Sequence, residues 1–265
     1  MAFFRNREGH QLYYVVRGTG RPIVFVHGWT MSHRVWDHQI FSLSDRYQVV
    51  AIDLRGHGES DKPESSYSFK EFANDLSDLF EHLNLNEIVL IGWSMGMSVS
   101  LSYFENYGGR HVSKLVLTGG PIKLSQAADY PHGIPPIDLE GYIRRKIDHR
   151  VAEEYAFGRK SYLKQSEEDA AYFVSIAMQT PLDVAIKSVR EQDKLDHRAL
   201  LGQIQVPTLV IYGRHERFYP SSLPEYIVSH LPKGKLSIFE NSAHFPFQEE
   251  AKLFNTKLVE FIEEN

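Results

Sequence analysis

A serine stands in the sequence Gly-Trp-Ser-Met-Gly, at position 94 of the 265-residue chain. The apolar run that starts at Ile88 predicts a buried strand, and the segment Met95–Tyr107 after it predicts a helix. A strand that turns directly into a helix crowds its own backbone, and Gly92 and Gly96 supply the small residues that this turn needs. The turn would raise the Ser94 hydroxyl above the end of the sheet. We therefore interpret Ser94 as a nucleophile; the alternative is a glycine-flanked turn with an incidental serine.

A histidine that could activate this serine lies near the end of the chain. A serine hydroxyl is a poor nucleophile at neutral pH unless an adjacent imidazole removes its proton. Among the 13 histidines, His244 differs in its context, because it lies in a loop between a predicted strand at 235–239 and the last predicted helix. Such a loop can hold the ring over the same end of the sheet as Ser94. Most of the other histidines, such as His38 and His82, fall on predicted surface helices or turns.

A serine and a histidine of this kind act together with a third side chain, a carboxylate. It fixes the tautomer of the imidazole and stabilises the imidazolium. The place to look is the loop that follows the predicted strand at 208–212, where Glu216 is the only acid before Pro220. The chain order is then Ser94 as nucleophile, Glu216 as acid and His244 as base.

Two backbone amides are expected to form an oxyanion hole, since negative charge develops on the oxygen of an attacked carbonyl. Met95 supplies one amide by its position after the nucleophile. Trp29 is the natural second, because it follows a predicted strand and a His-Gly pair. Gly28 and Trp93 are predicted to contact substrate, and the rings of Trp29 and Trp93 to shape an apolar pocket. Ordinary core packing is the alternative for both rings.

The elements that must position these residues alternate between strand and helix. Apolar strands between helices predict a mostly parallel sheet that is covered on both faces. A hairpin of the first two strands is expected at its start. The predicted strands are 2–5, 11–16, 23–26, 48–53, the apolar part of 88–96, 114–117, 208–212 and 235–239. The predicted helices of this region are 32–43, 68–83, 95–107, 223–230 and 247–263.

The alternation breaks between residues 121 and 195, where no clear strand is found and the sequence is charged and helical. Helical stretches are predicted there at 143–147, 152–157 and 167–178. We interpret 121–195 as a helical cap inserted into a core formed by 1–120 and 196–265. The alternative is a peripheral helical decoration that has no role at the site.

Composition excludes several classes of protein. Hydrophobic residues make up 42% and charged residues 24% of the chain, which is ordinary for a soluble globular protein. The net charge of −5 argues against nucleic acid as the main partner, and the lack of cysteine excludes disulfides and thiol catalysis. No signal-peptide pattern and no apolar run long enough to cross a bilayer is found, so we expect a cytoplasmic protein without a membrane partner.

Together these stretches resemble the α/β-hydrolase superfamily over nearly the whole chain. The resemblance implies the α/β-hydrolase fold with an inserted helical cap, and the roles given above to Ser94, Glu216 and His244. It departs from most relatives at Glu216, where they carry Asp. The other acid position sometimes used, after the preceding strand, offers no carboxylate. The matching segments are 27–29, 53–60, 92–96, 206–213 and 243–247.

The resemblance also limits the classes of reaction that the chain is expected to catalyse. A serine at position 94 is unlike the haloalkane dehalogenase and epoxide hydrolase branches, which carry Asp there. It is similar to small carboxylesterases, so we expect hydrolysis of small-molecule esters with short to medium acyl chains, through an acyl-enzyme. No metal or organic cofactor is expected, and the oligomeric state is left open. Three alternatives stay open: a cofactor-free perhydrolase, a carrier-linked methyl ester esterase, and a small-molecule sensor with a retained triad.

Overall fold

A single sheet forms the centre of the computed structural model, which describes residues 2–64, 67–135 and 138–264. Within these ranges the sheet has eight strands in the order β1-β2-β4-β3-β5-β6-β7-β8. The pairs β1–β2 and β2–β4 are antiparallel, and every other neighbouring pair is parallel, which confirms the predicted mostly parallel sheet. The strands are β1 (Ala2–Arg5), β2 (Gln11–Arg17), β3 (Pro22–Val26), β4 (Gln48–Ile52), β5 (Ile88–Trp93), β6 (Val112–Thr118), β7 (Thr208–Gly213) and β8 (Gly234–Phe239).

Helices pack on both faces of the sheet and complete three layers. A short 3₁₀ helix precedes the first α-helix, and no helix in the described ranges is long and apolar enough to cross a membrane. The helices are the 3₁₀ helix (His33–Trp36), α1 (Asp37–Leu43), α2 (Phe69–His82), α3 (Met95–Tyr107), α4 (Leu139–Ser161), α5 (Glu167–Ala177), α6 (Leu182–Asp193), α7 (Arg198–Leu201), α8 (Ser222–His230), α9 (Pro246–Glu249) and α10 (Ala251–Glu263).

The central strands are apolar throughout because each of their faces is buried. In β3, Val24 and Val26 belong to the core on the side of α2 and α3, whereas Ile23 and Phe25 belong to the core on the side of α1 and α10. Successive side chains of a strand point to opposite faces, so two buried faces require an apolar residue at every position. This packing explains why these strands could be found from their sequence.

Helix α2 begins as predicted, with Ser68 as its N-cap. The Glu71 amide donates to Ser68 Oγ at 3.3 Å, and the Ser68 amide donates to Glu71 Oε2 at 3.0 Å. This reciprocal pair satisfies two amides that a helix N-terminus leaves without an intrahelical acceptor.

Three helical predictions need correction. The stretches predicted at 143–147 and 152–157 are one helix, α4, which is kinked at His149 (φ −138°, ψ 38°). The last predicted helix, 247–263, is two helices separated at Glu250, whose backbone is not helical (φ −125°, ψ 46°). Helix α6 was not predicted as a separate element. Neither break contains the proline or glycine that would mark it in the sequence.

Helices α4, α5 and α6 lie between β6 and β7 along the chain, although these two strands are neighbours in the sheet. The described residues from 139 to 193 are called the helical segment below. Its long helix α4 packs against both α5 and α6. The segment is an insertion between two paired strands, and Phe173, Val174, Ile176 and Ala177 of α5 belong to the same buried cluster as Ile23 and Phe25 of β3.

Candidate active site

Ser94 lies at the junction of β5 and α3, in the turn of residues 92–96 that is called the elbow below. Its backbone has φ 54° and ψ −119°, a conformation that non-glycine residues adopt only when the surrounding structure imposes it. A Cβ at Gly92 would lie 2.4 Å from the Gly96 carbonyl oxygen, and one at Gly96 would lie 2.3 Å from the Val26 carbonyl oxygen. The elbow therefore depends on both glycines, which agrees with the reason for which they were singled out.

Ser94, His244 and Glu216 are brought together at the end of the sheet. His244 Nε2 lies 3.1 Å from Ser94 Oγ, and His244 Nδ1 lies 2.7 Å from Glu216 Oε2. The His244 and Glu216 side chains are only 2% and 6% exposed. A carboxylate can only accept, so Nδ1–H donates to Glu216, which leaves Nε2 able to accept the Ser94 proton.

Glu216 is held by its own loop as well as by the histidine. Its Oε1 accepts hydrogen bonds from the amides of Arg217 and Phe218, both at 2.8 Å. The second oxygen, Oε2, is left for His244. The longer side chain at this position, compared with Asp, therefore reaches the imidazole while its other oxygen is satisfied.

The backbone of His244 is fixed on both sides. Its amide donates to the Ser161 carbonyl at 2.8 Å, and its carbonyl accepts from the Trp93 indole N–H at 2.8 Å. Ser161 is the last residue of α4, so the loop that carries His244 is attached to the helical segment. Nothing in the sequence signals this contact, because it joins two backbone groups more than 80 residues apart.

Glu249 makes a second connection between the same two regions. Its Oε2 accepts from the amide of Ala243, directly before the histidine, at 2.8 Å. Its Oε1 accepts at 2.6 Å from the amide of Leu163, just after the end of α4. Burial raises the pKa of Glu249 above its usual value, and its backbone donors oppose that rise. No pattern around Glu249 in the sequence indicated this role.

The amides of Trp29 and Met95 are available as donors. Neither donates a hydrogen bond to any acceptor in the described part of the chain. Met95 is the first residue of α3, where helix amides lack intrahelical acceptors and where the helix dipole favours negative charge. A Cβ at Gly28 would lie 3.0 Å from Ser94 Cβ, so the chain leading into Trp29 passes directly beside the serine.

His27 fixes the backbone just before Trp29. Its Nδ1–H donates to the Gly28 carbonyl at 2.8 Å, and its Nε2 accepts from the Leu54 amide at 3.0 Å. Burial lowers the pKa of His27 to about 4, so the ring is neutral near neutral pH and keeps this pair of bonds.

The indole of Trp29 is held by the helical segment. Its Nε1–H donates to the Ala185 carbonyl at 2.9 Å and lies 3.2 Å from Ser188 Oγ, both on α6. The ammonium of Lys146, on α4, lies 5.1 Å from the centre of the indole, within the range of a cation–π contact. From the sequence, this ring was expected either to shape the pocket or to pack in the core, and its hydrogen bond to α6 was not predicted.

A cavity of about 610 Å³ opens at Ser94 and His244. Trp29 lies in its wall, but Gly28 and Trp93, which were expected to contact substrate, do not. Trp93 packs behind the histidine, with its ring centre 4.3 Å from that of Phe245, and Gly28 lies against the Trp93 ring. The remaining wall residues are Leu124, Ile134, Pro135, Tyr142, Glu153, Ala156, Phe157, Lys160, Val189, Gln192, Arg217, Phe218 and Tyr219.

The chain is similar to a known protein family and to several known proteins. The family model for the alpha/beta hydrolase fold matches residues 21–251. A putative non-heme chloroperoxidase of Synechocystis sp. is 30% identical over 97% of both chains. A pimeloyl-[acyl-carrier protein] methyl ester esterase of Vibrio cholerae is also 30% identical, over 94% of this chain and 97% of the relative. Among solved structures, an esterase from Exiguobacterium antarcticum superimposes with a TM-score of 0.95 at 27% identity, and the alignment covers 99% of both chains.

Proposed function

The chain belongs to the α/β-hydrolase superfamily, as its sequence predicted, and from this premise we propose that it is a serine carboxylesterase that acts through an acyl-enzyme. The family match and the esterase neighbours support ester hydrolysis in general. The observation that carries the finer proposal is the continuous hydrogen-bonded row from Ser94 Oγ through His244 to Glu216, with separations of 3.1 and 2.7 Å.

In the first half of the proposed reaction, Ser94 Oγ attacks the carbonyl carbon of the ester while its proton passes to His244 Nε2. The oxygen that becomes negative accepts hydrogen bonds from the amides of Trp29 and Met95. Glu216 stabilises the imidazolium through Nδ1–H. When the bond between the carbonyl carbon and the alkoxy oxygen breaks, His244 returns the proton to the departing alcohol.

In the second half, a water molecule takes the place of the alcohol. His244 Nε2 removes a proton from this water, whose oxygen attacks the acyl-enzyme carbonyl. The same two amides hold the second oxyanion, and collapse returns the proton to Ser94 Oγ and releases the acid. Each group is thereby restored to the protonation state in which it began.

The proposed substrates are esters with short to medium acyl chains. The cavity of about 610 Å³ has room for a small organic molecule, and its wall is mainly apolar, with aromatic rings such as Phe157 and Phe218. We further propose that 121–195 acts as a cap, because its residues Tyr142, Phe157 and Val189 supply part of that wall.

Two related activities are supported by particular relatives. The similarity to a putative non-heme chloroperoxidase supports a perhydrolase activity, in which peroxide replaces water in the attack on the acyl-enzyme. The similarity to a pimeloyl-[acyl-carrier protein] methyl ester esterase supports a carrier-linked methyl ester as substrate. Both would use the same acyl-enzyme, so they differ from the favoured proposal in the acceptor or in the carrier.

The test is hydrolysis of p-nitrophenyl acetate and butyrate by the purified protein and by Ser94→Ala. We expect the variant to lose activity by about four orders of magnitude or more, since the covalent step is removed, and to unfold at an unchanged temperature. Ser229→Ala, which changes an exposed serine on α8, is the control. Full activity in Ser94→Ala would end the proposal. Peracid formation from acetate and peroxide, measured in parallel, detects the perhydrolase alternative.

A further inference from the structure

Two buried side chains in the cavity wall carry hydrogen-bonding atoms that the protein itself does not use. Gln192, on α6, is 6% exposed, and Tyr219, in the loop after β7, is 9% exposed. Both belong to the wall that also contains Ser94 and His244. Neither Gln192 Oε1 nor the Tyr219 hydroxyl is among the partnerless side-chain atoms of the described ranges that are closed to solvent, so both can be reached from the cavity. A few polar groups in a mainly apolar wall are what orients a ligand.

The orientation of the Gln192 amide follows from its neighbour. Gln192 Nε2 donates to Ser98 Oγ at 3.1 Å, and Ser98 Oγ donates its only proton to the Pro121 carbonyl at 3.2 Å. A flipped amide would place Oε1 against a hydroxyl that has no proton left to give. Oε1 is therefore the atom left over, and no donor among the described residues lies within hydrogen-bonding distance of it.

Tyr219 supplies the complementary atom. Its hydroxyl has no hydrogen-bond partner within the described ranges, and its ring centre lies 6.4 Å from that of His244. Burial raises the pKa of this hydroxyl well above its usual value, so the group stays protonated and can donate. One side chain of the cavity wall thus offers an acceptor and the other a donor.

The charged residues of the wall differ from these two in exposure. Lys160 and Arg217 are exposed, and the Arg217 guanidinium donates to the Tyr162 carbonyl at 3.1 Å. Glu153 is partly exposed and already lies 3.9 Å from the Arg145 guanidinium. Charges at an exposed mouth are solvated whether or not a ligand is present. The buried and uncharged pair is therefore the stronger indication of what the interior of the cavity recognises.

The pair also lies close to the reacting carbonyl. Gln192 rests on Ser98, which is one helical turn beyond Ser94 on α3, a rise of about 6 Å along the helix axis. Tyr219 lies beside His244, with the two ring centres 6.4 Å apart, so a group that meets Gln192 and Tyr219 would lie in the part of the cavity that Ser94 and His244 line.

We propose that Gln192 and Tyr219 form a polar subsite, and that the protein prefers esters whose acyl chain carries a hydroxyl group. A hydroxyl is complementary to the pair, because it accepts one hydrogen bond from the Tyr219 hydroxyl and donates one to Gln192 Oε1. This inference rests on the proposed esterase function and specifies its substrate class. A site built to bind a hydroxyl rejects an analogue without it, because its buried polar atoms are then left unpaired.

The experiment compares esters in which a methyl group replaces the hydroxyl. Methyl β-hydroxybutyrate is paired with methyl β-methylbutyrate, and methyl ω-hydroxyhexanoate with methyl heptanoate, with release of acid followed by titration at constant pH. In at least one pair we expect kcat/KM to be about tenfold higher for the hydroxy ester, the ratio expected for one favourable hydrogen bond to a buried neutral partner.

The variants test whether the two side chains cause the preference, which is measured as the ratio of kcat/KM for the hydroxy ester to kcat/KM for its methyl analogue. Tyr219→Phe removes the hydroxyl alone, and Gln192→Leu removes the acceptor at similar volume; each should bring the ratio close to one. Ile134→Val, an apolar change in the same wall, is the matched control and should leave the ratio as it is. The use of two independent variants keeps the test decisive if one of them fails to fold.

The outcomes separate the two proposals. Hydrolysis of the esters with ratios near one in the wild type, or a preference that neither folded variant reduces, overturns the polar subsite and leaves the esterase function standing. A wild-type protein that hydrolyses neither these esters nor p-nitrophenyl acetate overturns the esterase function, and the subsite with it.

Discussion

The proposed nucleophile and its proposed partners are held in place by two different parts of the molecule. Ser94 is positioned by its own stretch of chain, since β5, α3 and the two glycines of the elbow fix its backbone. The backbone at His244 and the indole of Trp29 are positioned by the helical segment, which accepts hydrogen bonds through the carbonyls of Ser161 and Ala185.

The comparison shows what the helical segment contributes to the candidate active site. Residues 139–193 supply none of the three side chains proposed to react, yet they hold the loop of the proposed base and the residue that carries a proposed oxyanion donor. Both anchors are made by backbone carbonyls, which do not depend on side-chain identity. The helical segment can therefore vary in sequence and still support the site, provided that its backbone keeps its course.

Among the changes that test this comparison, the largest effect is expected where the proposed base, His244, meets the proposed acid, Glu216. Glu216→Ala removes the carboxylate that orients His244 Nδ1–H, and we expect kcat to fall by more than a hundredfold, equivalent to about 3 kcal/mol of transition-state stabilisation. Steady-state kinetics with p-nitrophenyl butyrate measure this loss. Asp193→Ala is the control, because Asp193 accepts from Ser125 Oγ and makes no contact with the histidine. Near-normal rates in Glu216→Ala would assign the orienting role to another group.

The next largest effect is expected at the elbow, whose position is determined by its own stretch of chain. In Gly96→Ala the new methyl carbon would lie 2.3 Å from the Val26 carbonyl oxygen and 2.6 Å from that of His27, so the backbone must shift. We expect a loss of about 2 kcal/mol in the free energy of unfolding, together with reduced kcat, because the elbow moves away from the sheet. Urea unfolding and kinetics on the same preparation measure both quantities.

Gly108→Ala is the matched control for this change. Gly108 also sits at an end of α3, but its φ of 63° is strained for alanine while its surroundings are open. It should lose about 1 kcal/mol of stability with kcat unchanged. If Gly96→Ala keeps full activity, the elbow tolerates a displacement that its packing is argued to forbid.

The sequence predicted the parts of the molecule that are determined locally. The strands were found because both faces are buried, and the start of α3 because a sharp turn from strand to helix needs glycine at positions 92 and 96. Glu216 was chosen because its loop contains no other acid, and its catalytic role stays a prediction. The kink at His149 and the split at Glu250 could not be found, since neither residue is a helix breaker. The role of Glu249 was equally hidden, because its two partners lie on separate loops that meet only in the folded chain.

The smallest effect is expected at Glu249, and it tests whether the helical segment positions the loop that carries His244. This loop, residues 240–245, is called the histidine loop. The two carboxylate oxygens of Glu249 join it to the chain just after α4. Glu249→Gln replaces one accepting oxygen with an NH₂ group that faces a backbone amide, so one of the two bonds is lost. We expect kcat to fall about tenfold with a smaller change in KM, because the base is displaced while the cavity remains. Glu250→Gln is the control, since among the described residues Glu250 Oε2 accepts only from the amide of Asn241 and the hydroxyl of Ser242, which lie in the histidine loop and not in the helical segment. Equal losses in the two variants would mean that the histidine loop is held from within, and that its attachment to the helical segment contributes nothing to catalysis.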